Sequence, residues 1–278
     1  MVRQRNAPTK WPTLAIVVLA GAWTLFHLIW NVAGQTADDY WGVALLILFL
    51  LSLIVAFMQF FREHAALKAV SSTEQFPEPA IARFFFGSEG SSGMWFVVRM
   101  EVGAEWLLAG WEKIQSPAWG TSGKALNGFV AGALAKASGP NPAVQGWYVW
   151  FLQHAVQPNA GFFSFLVTYG EFAVGLGVLL GILTGIAAGA GVLMNLNYLL
   201  AGTVSTNPVL GMFGLFLIFS WRVCGWIGGD RWLLPALGLP WKPGSRFQPQ
   251  AAPDTVPSQL APDTVPSQLT PSTASSSE

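Results

Sequence analysis

The sequence predicts an all-α membrane protein with six transmembrane helices. Of its 278 residues, 53% are hydrophobic and only 10% are charged, whereas soluble domains average about 25% charged residues. Several apolar runs reach the roughly 20 residues that a helix needs to cross a bilayer. The formal net charge is zero, which does not favour a nucleic-acid partner. The partner that this composition predicts is membrane lipid.

The first domain, residues 1–61, is predicted to be a hairpin of two spans. One span runs from Trp11 to Ala33 and the other from Tyr40 to Phe61. The apolar run that follows the basic N-terminal residues is too long for a signal-peptide core, so we interpret it as an uncleaved span. Both spans are poor in functional groups, which favours an anchoring or packing role.

A second membrane domain is predicted at 94–235, after a polar cytoplasmic linker rich in Gly and Pro at 62–93. Its four predicted spans are 94–114, 161–183, 186–204 and 208–226. The segment 117–157 between the first two is too polar to span and predicts two short helices at the outer membrane surface. The tail, 236–278, contains APDTVPSQL twice, and its Pro, Ser and Thr content predicts disorder.

The distribution of Lys and Arg predicts that both termini lie in the cytoplasm, because cytoplasmic loops carry an excess of these residues. In this orientation ten basic residues lie inside and three outside. The inner residues are Arg3, Arg5, Lys10, Arg62, Lys68, Arg83, Arg222, Arg231, Lys242 and Arg246, and the outer ones are Lys113, Lys124 and Lys136.

The third predicted span is unusual because it contains five ionisable residues: Arg99, Glu101, Glu105, Glu112 and Lys113. A charged side chain at membrane depth costs about 2.5–3.5 kcal/mol on insertion scales, so such residues usually serve a function or pair internally. At 100° per residue the three glutamates form one stripe, with Arg99 nearly opposite Glu101. Glu105 is a catalytic candidate. Arg99 and Glu101 are candidates for binding a substrate or quinone, and the alternative is an arginine that snorkels and a glutamate that other helices satisfy.

Further candidate residues lie along the second domain. Glu171 is close to the centre of its span, where a carboxyl group usually faces the bundle interior and marks a path for a proton, an ion or a ligand. The alternative is a protonated carboxyl bonded to a backbone carbonyl or to Asn195, which is itself a candidate for ligand binding or an interhelical hydrogen bond. Lys113 is expected to attract a small anion. Trp106 and Trp111 are candidate quinone- or substrate-binding residues, although Trp also anchors membrane interfaces.

No sequence motif indicates a built-in redox cofactor. The patterns C-x-x-C-H, G-x-G-x-x-G and the P-loop are absent, so no haem or nucleotide site is predicted. The three histidines show no paired spacing for a metal, and one cysteine cannot form a Cys-based metal cluster within the chain. Any redox chemistry therefore requires a diffusible cofactor, a partner or the substrate itself.

Motifs in the second membrane domain resemble the DoxX/DoxD family. In order they are Arg99-x3-Gly103-x6-Gly110-x2-Lys113, Gly170-Glu171-x3-Gly175-x5-Gly181, Met194-Asn195-Leu196-Asn197, Ser205-x-Asn207-Pro208 and Gly229-Asp230-Arg231. The resemblance extends from about Met94 to Pro235, and the long loop after the first motif is nearer to the DoxD type. It implies a four-helix membrane bundle in which Arg99, Lys113 and Glu171 are the polar positions of the family.

The same resemblance implies a role in sulfur metabolism, because the family includes the membrane subunit of thiosulfate:quinone oxidoreductase. We therefore expect oxidation of thiosulfate to tetrathionate with quinone as electron acceptor. We also expect a small oxidoreductase subunit as partner and a location in the cytoplasmic membrane of a prokaryote. In this hypothesis Glu105, Glu171 and Lys113 are catalytic, and the two glutamates move protons or bond a quinone carbonyl. The alternative is a non-enzymatic scaffold or transporter-like subunit of a redox complex, which the lack of a cofactor motif favours.

Overall fold

The computed structural model describes residues 11–33, 38–71 and 78–239, so most of the predicted tail lies outside the described residues. In this part of the chain every regular element is helical and no strand is present, which confirms the all-α prediction. The helices are α1 Trp11–Val32, α2 Asp38–Ser71, α3 Ala80–Gly87, α4 Ser92–Gln115, α5 Lys124–Ala135, α6 Gly146–Phe151, α7 Ala160–Leu180, α8 Thr184–Leu200, α9 Asn207–Phe219, α10 Trp221–Cys224 and α11 Asp230–Ala236.

Three helical stretches are long and apolar enough to cross a membrane. They are Trp11–Val32, Trp41–His64 and Gly146–Leu180. Helices α8 and α9 are also apolar but shorter, and α4 has 24 residues but contains the five charged side chains. Many large hydrophobic side chains of α1 and α2 are exposed, as expected of surfaces that face lipid. These observations indicate a membrane protein.

Several boundaries differ from the sequence prediction. The predicted span 208–226 is divided, because α9 ends at Phe219 and α10 runs from Trp221 to Cys224. The second surface helix and the span that begins at Gly161 were predicted as separate elements, but Gly146–Leu180 is one continuous helical stretch. A π turn at Leu152–Val156 and a 3₁₀ turn at Gln157–Asn159 join α6 to α7. Pro158 is compatible with this path because the first turn of a helix does not require its amide hydrogen. Helix α2 also continues to Ser71, into the predicted linker.

Helices α4 and α7 pack against each other in antiparallel directions with very little space between their backbones. The facing pairs are Gly103 with Leu179, Leu107 with Gly175, and Gly110 with Phe172. A Cβ at Gly103 would lie 2.6 Å from Leu179 Cγ, and Cβ atoms at the other two glycines would overlap backbone atoms of their partners. Inside a membrane, helices associate through such van der Waals packing rather than through the hydrophobic effect.

Four further helices, α1, α2, α9 and α10, pack on α4. On one side, the hairpin of α1 and α2 packs on α4 through a cluster that contains Ile16, Ala20, Trp41, Leu45, Val97, Met100 and Ala104. On another, a larger core joins α4 and α7 to α9 and α10 through Trp95, Val98, Val102, Trp106, Val174, Val178, Leu217 and Val223. Much of the charged helix is therefore buried, and its buried polar side chains have to find partners among these neighbours.

The close approach of α4 and α7 predicts the effect of one added methyl group. We expect Gly110→Ala to lower the free energy of unfolding by about 1–3 kcal/mol, because the new Cβ overlaps the Phe172 backbone and the helices must separate. The matched control is Gly189→Ala in α8, where a Cβ meets no atom within 4 Å. That variant should be unchanged or more stable by up to about 1 kcal/mol. Unfolding in detergent would measure both, and equal stabilities would contradict the packing described.

Candidate functional site

The most prominent polar group of the bundle is an ion pair with a tyrosine attached to it. Lys113 Nζ lies 2.6 Å from Glu171 Oε2, and the hydroxyl of Tyr198 donates to Glu171 Oε1. The side chain of Glu171 is only 2% exposed and that of Lys113 is 18% exposed. One carboxylate therefore has an ammonium group on one oxygen and a phenol on the other, in an environment that excludes most water.

The helix packing determines this arrangement. Gly110 on α4 faces Phe172 on α7, so Lys113, about one turn beyond Gly110, comes next to Glu171. Helix α8 then returns along α7 after the turn at Gly181–Leu183 and brings Tyr198 to the free carboxylate oxygen. The Lys113 ammonium also lies 5.2 Å from the centre of the Trp119 ring, a distance at which a cation is attracted to an aromatic face.

A cavity of about 620 Å³ lies between α7 and α8 and under α5 and α6. Its walls are almost entirely apolar and include Leu126, Phe129, Phe151, Phe163, Leu166, Val167, Ala173, Ile186, Ala190, Leu193 and Met194. Leu166, Ile186 and Leu193 are strongly exposed, so the cavity opens sideways between the two long helices. Its polar lining comes from Tyr198, Asn197 and Tyr148. The Tyr148 hydroxyl donates to the backbone oxygen of Asn197 over 3.0 Å. Tyr198 thus borders the cavity and bonds Glu171.

Arg99 lies at the opposite end of α4. Fourteen residues separate it from Lys113, which corresponds to about 21 Å along a helix. Its guanidinium is buried, donates to the Ile227 oxygen over 2.9 Å and to the Leu179 oxygen over 3.4 Å, and packs against Gly181. Gly181 has a φ of +66° and ends α7, so the residue that permits this backbone turn also makes space for Arg99. Arg99 therefore connects parts of the fold and lies far from the ion pair.

Asp230 completes this end of the bundle. Its carboxylate accepts hydrogen bonds from the backbone amides of Leu183 and Thr184 and from the Thr184 hydroxyl, over 2.5–2.9 Å. A carboxylate at this position satisfies amides at the start of α8 and interacts favourably with the helix dipole. The hydrogen bonds of Asp230 and Arg99 together hold the segment after α10 against the α7–α8 turn.

The three glutamates of α4 lie on the side of the helix that faces away from α7. Glu101 and Glu105 are each two residues from Gly103, and Glu112 is two residues from Gly110, so all three point about 160° away from those glycines. Glu112 is exposed, and Glu101 has one buried carboxylate oxygen without a hydrogen-bond partner among the described residues. The structure therefore does not bring the predicted catalytic residue Glu105 to Lys113 and Glu171.

The other candidate residues are Trp106 and Trp111 on α4 and Asn195 on α8. They lie on the helices that supply Lys113 and Tyr198, but no hydrogen bond joins them to the ion pair in the described part of the chain. Asn195 precedes Tyr198 by three residues and is 1% exposed, yet neither its amide nitrogen nor its oxygen has a partner in the described part of the chain. The alternative interpretation, in which Asn195 bonds Glu171, is therefore not what the structure contains. The Trp111 ring lies 6.3 Å from the Phe172 ring, and Trp106 is buried in the core beside Gly191.

Sequence reasoning missed Tyr198 and Tyr148. A usable signal was present, because the chain has only four tyrosines beside 14 Trp and 20 Phe. A phenol in an apolar helix has to hydrogen-bond to something when it is buried, and Tyr198 lies one turn after the polar Asn195. What the sequence could not supply was the partner, since Glu171 is 27 residues away.

Comparisons of the chain with family models, with curated protein sequences and with solved structures give no match. The function of the site therefore has to be inferred from its own chemistry.

The ion pair predicts a characteristic pattern in a double-mutant cycle. Lys113→Met should lower the free energy of unfolding by about 3 kcal/mol, because it leaves the buried Glu171 carboxylate without its cation. Adding Glu171→Gln should restore at least half of this loss, since the amide is neutral and still accepts from Tyr198. The control is Lys124→Met, which changes an exposed lysine and should have little effect. Additive losses for Lys113 and Glu171 would contradict a direct pair.

Proposed function

We propose that this chain is the membrane subunit of a quinone-linked oxidoreductase of the DoxX/DoxD type. In this proposal it passes electrons from thiosulfate, oxidised to tetrathionate, to membrane quinone. The observation that supports it best is that Tyr198, which bonds the carboxylate of the Lys113–Glu171 pair, lines an apolar cavity that opens between α7 and α8. Such a combination matches a ligand with a long apolar part and a small polar head.

A quinone matches both parts of the site. The cavity volume of about 620 Å³ is in the range of ligand sites, which are typically lined by apolar groups with a few polar ones. An isoprenoid chain would contact the apolar walls and enter from the lipid through the gap between α7 and α8. The ring would lie at the end where Tyr198 and Asn197 are found, so that a quinone oxygen can accept a hydrogen bond.

Reduction of a quinone requires two protons as well as two electrons, and the chain's own residues are suited to the proton part. In the structure the single Tyr198 O–H donates to Glu171. In this proposal Glu171, held by Lys113, first takes up a proton, so that the Tyr198 hydroxyl can turn to the quinone oxygen. The proton that Tyr198 gives to the reduced quinone is then replaced from Glu171. A positioned acid or base of this kind contributes about 10²–10⁴-fold to a rate. The two electrons come from two thiosulfate ions, whose outer sulfurs join in the S–S bond of tetrathionate. A small partner subunit would carry these electrons to the quinone, since the sequence has no motif for a redox cofactor.

The anionic substrate is expected near the end of the bundle where α4 ends. Lys124 and Lys136 are exposed there, although the Lys136 ammonium already donates to the Gly202 oxygen over 2.9 Å. Exposed cations raise the local concentration of a small anion such as thiosulfate. Lys113 is paired with Glu171, so we assign it to the proton site and no longer to the attraction of the anion.

The proposal includes six spans with both termini in the cytoplasm of a prokaryote. Helix α4 contains charged residues and so is not a purely apolar span. Its length of 24 residues and its antiparallel packing with the apolar α7 support the proposal that it crosses the membrane. Helices α8 and α9 are shorter and apolar, and the turns after α8 and the short α10 after α9 extend them. The Lys and Arg distribution supports the orientation.

Quinone binding can be tested in the cavity with a matched pair of leucines on α8. Leu193 and Leu196 are both exposed, and only Leu193 lines the cavity. We expect Leu193→Trp to weaken the binding of a short-chain ubiquinone at least about tenfold, because the larger indole occupies cavity space. The quinone then loses apolar contacts worth about 1.4 kcal/mol or more. Leu196→Trp should bind like the wild type. Equilibrium binding to protein in nanodiscs measures both, and equal affinities would exclude this cavity as the quinone site.

Turnover tests the chemical assignment. In membranes that contain the chain and its partner, Glu171→Gln should reduce thiosulfate-dependent quinone reduction about a hundredfold, because the amide cannot take up and release a proton. Glu112→Gln is the control, since that carboxylate is exposed on the far side of α4. An unchanged rate for Glu171→Gln would contradict the proton role. Quinone binding without any turnover in the wild type would favour the scaffold alternative.

A further inference from the structure

Two buried hydroxyl groups on α7 have no hydrogen-bond partner among the described residues. Ser164 and Thr168 are both 0% exposed, and neither hydroxyl forms a hydrogen bond within the described residues. A buried Ser or Thr in a helix can bond the backbone oxygen four residues earlier, as Thr24 does with Ala20 over 2.8 Å. Ser164 and Thr168 do not use this solution, so their hydroxyls require a different partner.

Ser164 and Thr168 lie on the same face of α7 as Glu171. The spacings of four and three residues from Ser164 to Thr168 to Glu171 place all three on the same side of the helix. This is also the side of Gly175, which faces α4. The face therefore leads away from the ion pair towards the end of the bundle where α4 ends and α7 begins.

The exposed turn that follows α4 covers the far end of this face. A 3₁₀ turn at Gly120–Ser122 packs on α7, and a Cβ at Gly161 would lie 2.7 Å from the backbone oxygen of Thr121. Thr121 and Ser122 are exposed. The line of polar groups thus runs from the buried carboxylate of Glu171 to a turn that contacts solvent.

A buried hydroxyl without a hydrogen bond is costly, and internal water usually supplies the missing partner when several polar groups are near. We propose that Ser164 and Thr168 hold internal water molecules and form a proton path between Glu171 and the turn at Gly120–Ser122. The presence of the water is independent of the proposed function, whereas the use of the path during quinone reduction rests on it.

The path works by proton transfer along the chain of hydroxyls and waters. Each oxygen accepts a proton from the solvent side and releases its own to the next oxygen, so no group on the path changes its charge after one transfer. The last proton reaches Glu171. Lys113 is the competing route, because its side chain is 18% exposed. Its ammonium group has no lone pair, so it must give up a proton to Glu171 before it can accept one from solvent.

The proposed internal water can be tested by whether removal of each hydroxyl raises or lowers the Tm. Thr168→Val and Ser164→Ala remove the hydroxyls with little change in volume. If water bonds them, each variant lowers the Tm, and the double variant loses less than the sum, because both hydroxyls share one water cluster. If the hydroxyls are dry, the variants raise the Tm, because an unsatisfied buried group has been removed, and this result would overturn the proposal. Thr24→Val is the control for a hydroxyl bonded to backbone.

Deuterium exchange tests the path without any assay of turnover. After transfer of the detergent-solubilised protein to D₂O, infrared spectroscopy follows exchange of the Tyr198 hydroxyl, identified by the difference from Tyr198→Phe. We expect exchange at least tenfold slower in Thr168→Val and close to the wild-type rate in Thr168→Ser. Equal rates in all three would overturn the path even if quinone reduction is intact. Slowed exchange in a protein without quinone reduction would support the path and refute the proposed function.

Discussion

The close approach of α4 and α7 is the constraint on which the rest of the structure depends. Where Gly103, Gly110 and Gly175 leave no side chain between the two backbones, the helices cannot slide or rotate without a clash. This fixed register brings Lys113 to Glu171, and a buried ion pair is favourable only when its geometry is this well defined. A small shift of one helix would leave a carboxylate unpaired in a medium of low dielectric constant.

The two ends of the bundle use charged residues for different purposes. At one end, Arg99 and Asp230 bond backbone groups near the α7–α8 turn and the segment after α10, and the guanidinium is packed against glycine. At the other end, Lys113 and Glu171 bond each other and Tyr198, next to a cavity large enough for a ligand. Chemistry is therefore expected at the second end, where a polar group borders open space, and structural support at the first.

The sequence pattern predicted much of the fold, because the length and polarity of an apolar run decide locally whether a helix can form. It also drew attention to α4 and to Glu171, because ionisable residues are rare within apolar helices. It did not predict that α6 continues into α7. Proline is favourable in a helix only in the first turn, so a proline such as Pro158 within an apolar run normally indicates two separate helices. The stripe of Glu101, Glu105 and Glu112 was correctly recognised as one face of a helix. Periodicity, however, does not state which neighbour that face meets, and the structure turns it away from Glu171.

The sequence by itself determined that the protein is helical and membrane-like and that a few ionisable residues lie within apolar helices, because these properties depend on residues close together in the chain. Only the tertiary structure decided which of those residues meet. Lys113 and Glu171 are 58 residues apart and Tyr198 is 27 residues further on. Their contact results from helix packing at glycines, which is an interaction between distant parts of the chain. The same packing separates Arg99 from the site, although it belongs to the same helix as Lys113.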